Sequence, residues 1–196
     1  MNTALLIIDV QNDYFSNGKC ELFQSESALK VIKELLSRFR ERGLPIYFIQ
    51  HIADREAAFF VPGTFGVDIH EQIRPLSSEK VIVKRVPNSF SGTNLQAELR
   101  KSSITELVVC GMMTHMCVDT TVRAAKDLGY SVTLISDACT TKELEWQGTK
   151  FLADTVQNVY LASLNQKFAD VITSKDYFDR ADSFFNGRNA QKPRYF

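Results

Sequence analysis

Three residues far apart in the chain, Asp9, Lys84 and Cys117, share one setting: each ends or follows an apolar run that reads as a buried strand. Ala4-Leu-Leu-Ile-Ile-Asp9 delivers a carboxylate and Val81-Ile-Val-Lys84 an amine. The run Val108-Val-Cys-Gly-Met-Met-Thr-His-Met-Cys-Val118 breaks at Gly111 and delivers a thiol into the start of a helix. A carboxylate can carry a proton, an amine can hold negative charge in place, and a thiolate attacks carbonyl carbon. Together they suggest a cysteine hydrolase. A free thiol is only a few per cent ionised at neutral pH, so Cys117 needs help; Lys84 and the positive end of the following helix are expected to favour its thiolate.

The other reactive side chains are weaker candidates. Cys110 and Cys139 read as packing residues, and Cys20 carries no signal. His115 stands two residues from Cys117, and at a helix start such side chains point in different directions, so a Cys–His dyad is not expected. With only His51, His70 and His115, and no ligand pair at helical or hairpin spacing, neither a metal site nor a cofactor is expected. His51, with Gln50, reads as pocket lining. Phe15, Phe65, Phe90 and Trp146 fall in loops and read as the aromatic walls of a pocket for a flat or lipophilic amide.

The elements that must position these groups alternate. After the strand ending at Asp9, Ala28, Val31, Ile32, Leu35, Leu36 and Phe39 recur at the spacing of one helical face, and Gly43 stops that helix. Pro45-Ile-Tyr-Phe-Ile49 is a second strand, followed by residues 52–79, which lack strong periodicity and read as a lid or binding loop. Lys80-Val-Ile-Val-Lys84 is the third strand; Thr93-Asn-Leu-Gln96 is a capping box opening a helix to about Lys101. Leu107-Val-Val-Cys110 is the fourth, a helix from about Met116 to Leu128 is stopped by Gly129, and Val132-Thr-Leu-Ile135 is the fifth. Residues 149–167 look helical, and Ala169-Asp-Val-Ile-Thr173 is a short sixth strand. This alternation predicts an α/β fold, a three-layer αβα sandwich on a six-stranded parallel Rossmann-like sheet. Ligands bind such sheets beyond the carboxyl ends of the strands, where Asp9, Lys84 and the loop before Cys117 all fall.

Composition narrows the partners. At 196 residues, 44% hydrophobic and 23% charged, the chain fits a single domain over 1–196 that buries roughly 70% of its unfolded surface, with a short tail from about residue 174. Its 23 basic residues balance 23 acidic ones without long blocks of either sign, which argues against nucleic acid or an anionic membrane and for a small-molecule substrate. The first apolar run meets Asp9 at once and has no basic region ahead of it, so it reads as a strand and not a signal peptide; no run is long enough to span a membrane. Four cysteines without Cys-x-x-Cys spacing read as reduced thiols of a cytoplasmic protein. The aromatic tail, with Phe184, Phe185, Tyr195 and Phe196, shows no clear periodicity and suits either a neighbouring subunit or disorder.

With these residues assembled, the chain resembles the isochorismatase-like cysteine hydrolase family, which includes nicotinamidases and N-carbamoylsarcosine amidases. The likeness runs from about residue 3 to 173. It is carried by Leu6-Ile-Ile-Asp-Val-Gln-Asn-Asp13, Pro62-Gly-Thr-Phe-Gly66, Val83-Lys-Arg-Val-Pro-Asn-Ser-Phe90 and Gly111-Met-Met-Thr-His-Met-Cys-Val118. The resemblance implies a catalytic triad at Asp9, Lys84 and Cys117, a cis peptide joining Met112 to Met113, and an oxyanion hole from the backbone N–H groups of Met113 and Cys117. It also implies self-association into homo-oligomers. The Asp-x-His pair of metal-dependent nicotinamidases is replaced here by Ile49-Gln-His-Ile52, which removes the expected metal ligands. The expected reaction is hydrolysis of a carbon–nitrogen bond in a small amide, carbamoyl compound or lactam through a thioester. The alternatives are hydrolysis of the isochorismate vinyl ether and a non-catalytic ligand-binding role.

Overall fold

A computed structural model describes the backbone of residues 2–189 and the side chains as far as Ser183. Six parallel strands form the central sheet: β1 (Thr3–Ile8), β2 (Ile46–His51), β3 (Lys80–Lys84), β4 (Glu106–Met112), β5 (Ser131–Thr140) and, after two short strands outside the sheet, β8 (Asp170–Ile172). Their spatial order is β3-β2-β1-β4-β5-β8, so the chain starts in the middle and winds first to one edge and then to the other. The switch between the two directions falls beside β1, where such sheets open a crevice at the carboxyl ends.

Side-chain alternation along β1 assigns its residues to two separate cores. Leu5 and Ile7 pack with Ala28, Ile32, Leu35, Leu36 and Phe39 of α1 (Ser25–Glu41). Ala4, Leu6 and Ile8 face the opposite layer, with Leu95 and Leu99 of α2 (Leu95–Lys101) and Val122 and Ala125 of α3 (Asp119–Asp127). Strands covered on both faces need apolar residues at every position, which is why these runs read continuously and not alternately. α1 stops where the sequence places the glycine: Gly43 has φ +62°, its N–H donates to Arg40 O, and Leu44 N–H donates to Phe39 O.

Several boundaries differ from the sequence reading. β4 does not break at Gly111; it runs through Met112 over an irregularity between Val109 and Gly111. Gly111 is needed for contact, because at φ +127° a Cβ there would stand 2.1 Å from Ile8 O. Thr93 Oγ1 accepts from Leu95 N–H and donates to Ser89 O, so it caps α2 one residue nearer than a capping box would. Residues 149–167 are not one helix. A hairpin of β6 (Leu144–Trp146) and β7 (Thr149–Phe151) comes first, and α4 occupies Ala153–Leu164. The presumed tail enters a helix, α5 (Ser174–Asn189), whose Phe178 is buried under the Arg38 guanidinium, 3.8 Å from the ring centre. Tyr195 and Phe196 lie outside the described residues, as do the side chains of Phe184 and Phe185. No helix of the described residues is long and apolar enough to cross a membrane.

Candidate active site

Register brings the charged groups together. β2 and β3 pair with His51 opposite Lys84, and neighbours in a parallel pair project on the same face. Ile49 and Ile82, two residues earlier, belong to the core on the α2–α3 side, so His51 and Lys84 face that layer as well. Asp9 follows the last residue of β1, with φ +51°, a left-handed conformation that non-glycine residues seldom adopt and that is often found at functional sites. Its carboxylate meets the Lys84 side chain, which crosses from the edge strand: Lys84 Nζ is 2.8 Å from Asp9 Oδ2, and both side chains are fully buried. Nζ also donates to the carbonyls of Val86 and Pro87, each at 3.2 Å.

Cys117 arrives from the other side of β1. Between β4 and α3 the chain makes a π-helical turn, Thr114–Val118, in which Met113 O accepts from Val118 N–H and from Met116 N–H. Such wide turns recur where a helix must present a side chain out of register. The turn buries Cys117 almost completely and sets its Sγ 4.0 Å from His51 Nδ1. One atom each of Asp9, His51 and Cys117 lie within 4.8 Å of one another. The peptide between Met112 and Met113 is cis.

The electrostatics of this cluster differ from the activated thiolate expected from sequence. Burial pushes the Cys117 thiol up, the Asp9 charge pushes it further, and Lys84 only partly offsets them, so the resting sulfur keeps its proton. Lys84 is the reverse case: burial favours the neutral amine, but the charges of Asp9 and of an ionised Cys117 outweigh it and raise the ammonium above its ordinary value. His51 is lowered by burial and by Lys84, against a smaller opposing pull from Asp9, and is neutral at working pH. Neither Asp9 oxygen has a well-directed hydrogen bond among the described residues, so the contact with Lys84 is a close ion pair that leaves lone pairs free to take a proton. Asp9, His51 and Cys117 offer oxygen, nitrogen and sulfur to a metal. The Lys84 ammonium already stands 2.8 Å from Asp9 and 3.5 Å from His51, where it would repel a divalent ion.

The four aromatic residues expected to line a pocket fall in different settings. Phe15 is buried in the α1-side core against His70, and Phe90 stacks on Tyr130 beneath the amino end of β5. Phe65 and Trp146 are 77% and 70% exposed. The ring beside His51 is Phe60, at 5.9 Å between centres, with Tyr14 and Phe59 packed on it. The Tyr14 hydroxyl is raised by burial and then by the charges of Asp9 and Cys117. Gln50 turns away and donates to Val67 O. His115 is also turned away, bonded to Thr141 Oγ1 and packed on Tyr160, so the histidine near the thiol is His51.

Sequence reasoning missed the work of the three polar residues after Asp9. Gln11 Nε2 donates to the carbonyls of His51 and Val67, and its Oε1 accepts from His51 N–H. Asn12 Nδ2 donates to Phe65 O. Asp13 accepts from Phe60 N–H at 2.6 Å and from Lys19 N–H at 3.0 Å. Side chains from one short segment thus fasten the loop of residues 59–67 beside His51. The available signal was a run of amides and a carboxylate too close to an apolar strand to be solvated.

An isochorismatase domain model matches residues 3–176. The chain belongs to the isochorismatase family of hydrolases. It is 47% identical to the isochorismatase family protein YddQ of Bacillus subtilis over 178 residues, which are 90% of this chain and 99% of that protein. It is 33% identical to streptothricin hydrolase of Streptomyces noursei over 141 residues, 72% of this chain and 50% of that one. Among solved structures, an isochorismatase from Pseudomonas putida KT2440 superposes with a TM-score of 0.85 at 34% identity, covering 89% of each chain. The parallel sheet flanked by helices is thus a fold this isochorismatase-family chain shares with its relatives.

Proposed function

We propose that the protein is a cysteine hydrolase that cleaves the carbon–nitrogen bond of a small amide, carbamoyl compound or lactam through a thioester on Cys117. The observation that carries this reading is the meeting of a buried thiol, a carboxylate with free lone pairs and a buried ammonium, supplied by three distant segments. A relative named for the hydrolysis of streptothricin supports the hydrolytic class.

Because the resting sulfur is protonated, the thiol proton passes to Asp9 as sulfur attacks the carbonyl carbon. Lys84 steadies the carboxylate before the transfer and the thiolate during it. The amides of Met113 and Cys117 hold the oxyanion; one such donor is worth about 3 kcal/mol. Asp9 then returns the proton to nitrogen as the carbon–nitrogen bond breaks, and water cleaves the thioester.

Release of ammonia or amine is measured across a panel of amides, ureides and lactams, alongside mass analysis of Cys117. The expected result is turnover of at least one class with an acyl adduct on Cys117, lost in Cys117→Ala. Full turnover by Cys117→Ala would end the thioester route, and turnover of isochorismate alone would favour the vinyl-ether reaction.

A further inference from the structure

The cluster holds one group that the thioester scheme does not use. His51 Nδ1 lies 4.0 Å from Cys117 Sγ, 3.9 Å from Asp9 Oδ2 and 3.5 Å from Lys84 Nζ. An ammonium can only donate, so the ring nitrogen facing it carries a lone pair and not a proton. The Arg85 backbone acts to raise the ring, the direction given by a carbonyl that accepts from a ring N–H, which agrees with this tautomer. A neutral imidazole with its lone pair turned toward a nucleophilic sulfur is placed as a base.

Solvent access separates His51 from its neighbours. The side chains of Asp9 and Lys84 are 0% exposed and Cys117 is nearly covered, whereas the His51 side chain is 17% exposed. Of the four side chains, His51 is the one most open to water, while Asp9 is buried against Lys84.

We propose that His51 is a fourth catalytic residue, the general base that takes a proton from the water attacking the thioester on Cys117. The proposal rests on the cysteine-hydrolase reading above. Water oxygen bonds to the acyl carbon as its proton moves to Nδ1. The tetrahedral adduct then collapses, the carbon–sulfur bond breaks, and its electron pair returns to Cys117 as thiolate. The imidazolium gives its proton to that sulfur, restoring the thiol and the neutral ring, and the product leaves as a carboxylic acid.

The test uses 4-nitrophenyl acetate, whose leaving group needs no protonation, with wild type, His51→Gln and Cys117→Ala. Wild type is expected to turn over. His51→Gln is expected to release one equivalent of nitrophenolate at the wild-type rate and then to stall, with the acetyl group on Cys117 and deacylation slowed about 100-fold or more. A full burst also shows that the variant is folded, and added imidazole is expected to restore deacylation in His51→Ala. A burst followed by wild-type turnover in His51→Gln would overturn the role of His51, as would a burst slowed in proportion to turnover. Retention of the burst in Cys117→Ala, or an acetyl group on a residue other than Cys117 in the stalled His51→Gln, would overturn the cysteine reading itself, which is a different result.

Discussion

Lys84 Nζ stands 2.8 Å from Asp9 Oδ2 with neither side chain touching solvent, so each charge depends on the other for its place in the fold. Removing one partner of such a pair leaves a buried charge without compensation, which generally costs about 3–5 kcal/mol. Lys84→Met is therefore expected to lower the free energy of unfolding in urea by that order. The double variant Asp9→Asn/Lys84→Met is expected to recover most of the loss, since replacing both charges removes the desolvation penalty with the attraction. Equal losses in the single and double variants would show that the pair is not coupled.

The position of Asp9 also sets the reactivity of Cys117. Burial is the larger cause of the raised thiol and the Asp9 charge the next, with Lys84 acting against both. Alkylation by iodoacetamide follows the thiolate fraction. It is therefore expected to be slow at neutral pH in wild type and to climb steadily as the medium is made alkaline. Asp9→Asn removes a raising cause, so its Cys117 is expected to alkylate about tenfold faster at pH 7 while hydrolysis is lost. A thiol activated at rest by Asp9 would give the opposite ordering, with Asp9→Asn slower than wild type.

The strands that carry the site were legible because each is an apolar run closed by a single charged or reactive residue; β1 and β4 are covered on both faces, whereas the edge strand β3 leaves Val81 and Val83 exposed. The hairpin at 144–151 was not. Its strands are three residues long and mostly exposed, and its turn places Gln147 at φ +49° before Gly148 at φ +78°. The turn type calls for asparagine or aspartate at the first of these positions, and glutamine gives no such signal. The setting of the aromatic residues was hidden for another reason. Loop position shows that Phe65 or Trp146 lies near the carboxyl edge but not which way the ring turns, whereas Phe60 is turned inward by its own N–H bond to Asp13. The grouping of His51 with Lys84 depends on strand register, which composition and periodicity do not fix.

Outside the site, Arg40 and Glu79 tie the end of α1 to the segment before β3, with Arg40 Nε and a terminal nitrogen each 2.8 Å from a Glu79 oxygen. Burial works to raise the Glu79 carboxyl, but the Arg40 hydrogen bonds, the Leu76 N–H and the Arg40 charge outweigh it and hold it below its ordinary 4.5. A carboxyl lowered in the folded state adds stability above its unfolded value and loses it as pH falls through the folded one. Glu79→Gln is expected to be about 1 kcal/mol less stable than wild type near pH 7. Unfolding curves of the two proteins should converge as pH drops well below 4.5. A difference that stays constant on acidification would mean that the carboxylate charge contributes nothing.

Asp13 holds the segment beside His51 without touching the thiol. Its two oxygens accept from the amides of Phe60 and Lys19, and Gly66 is packed so tightly against it that a Cβ there would lie 2.0 Å from Asp13 Oδ1. Asp13→Asn replaces one acceptor by a donor that faces an amide N–H, and Gly66→Ala pushes the carboxylate off the same amides. Both changes release the backbone at Phe60, whose ring packs on Tyr14 and lies beside His51. Both are expected to raise KM several-fold and to quicken amide exchange at residues 59–61, while alkylation of Cys117 keeps its wild-type pH dependence. Loss of that pH dependence in either variant would mean that Asp13 acts through the charges of the cluster instead of through the loop.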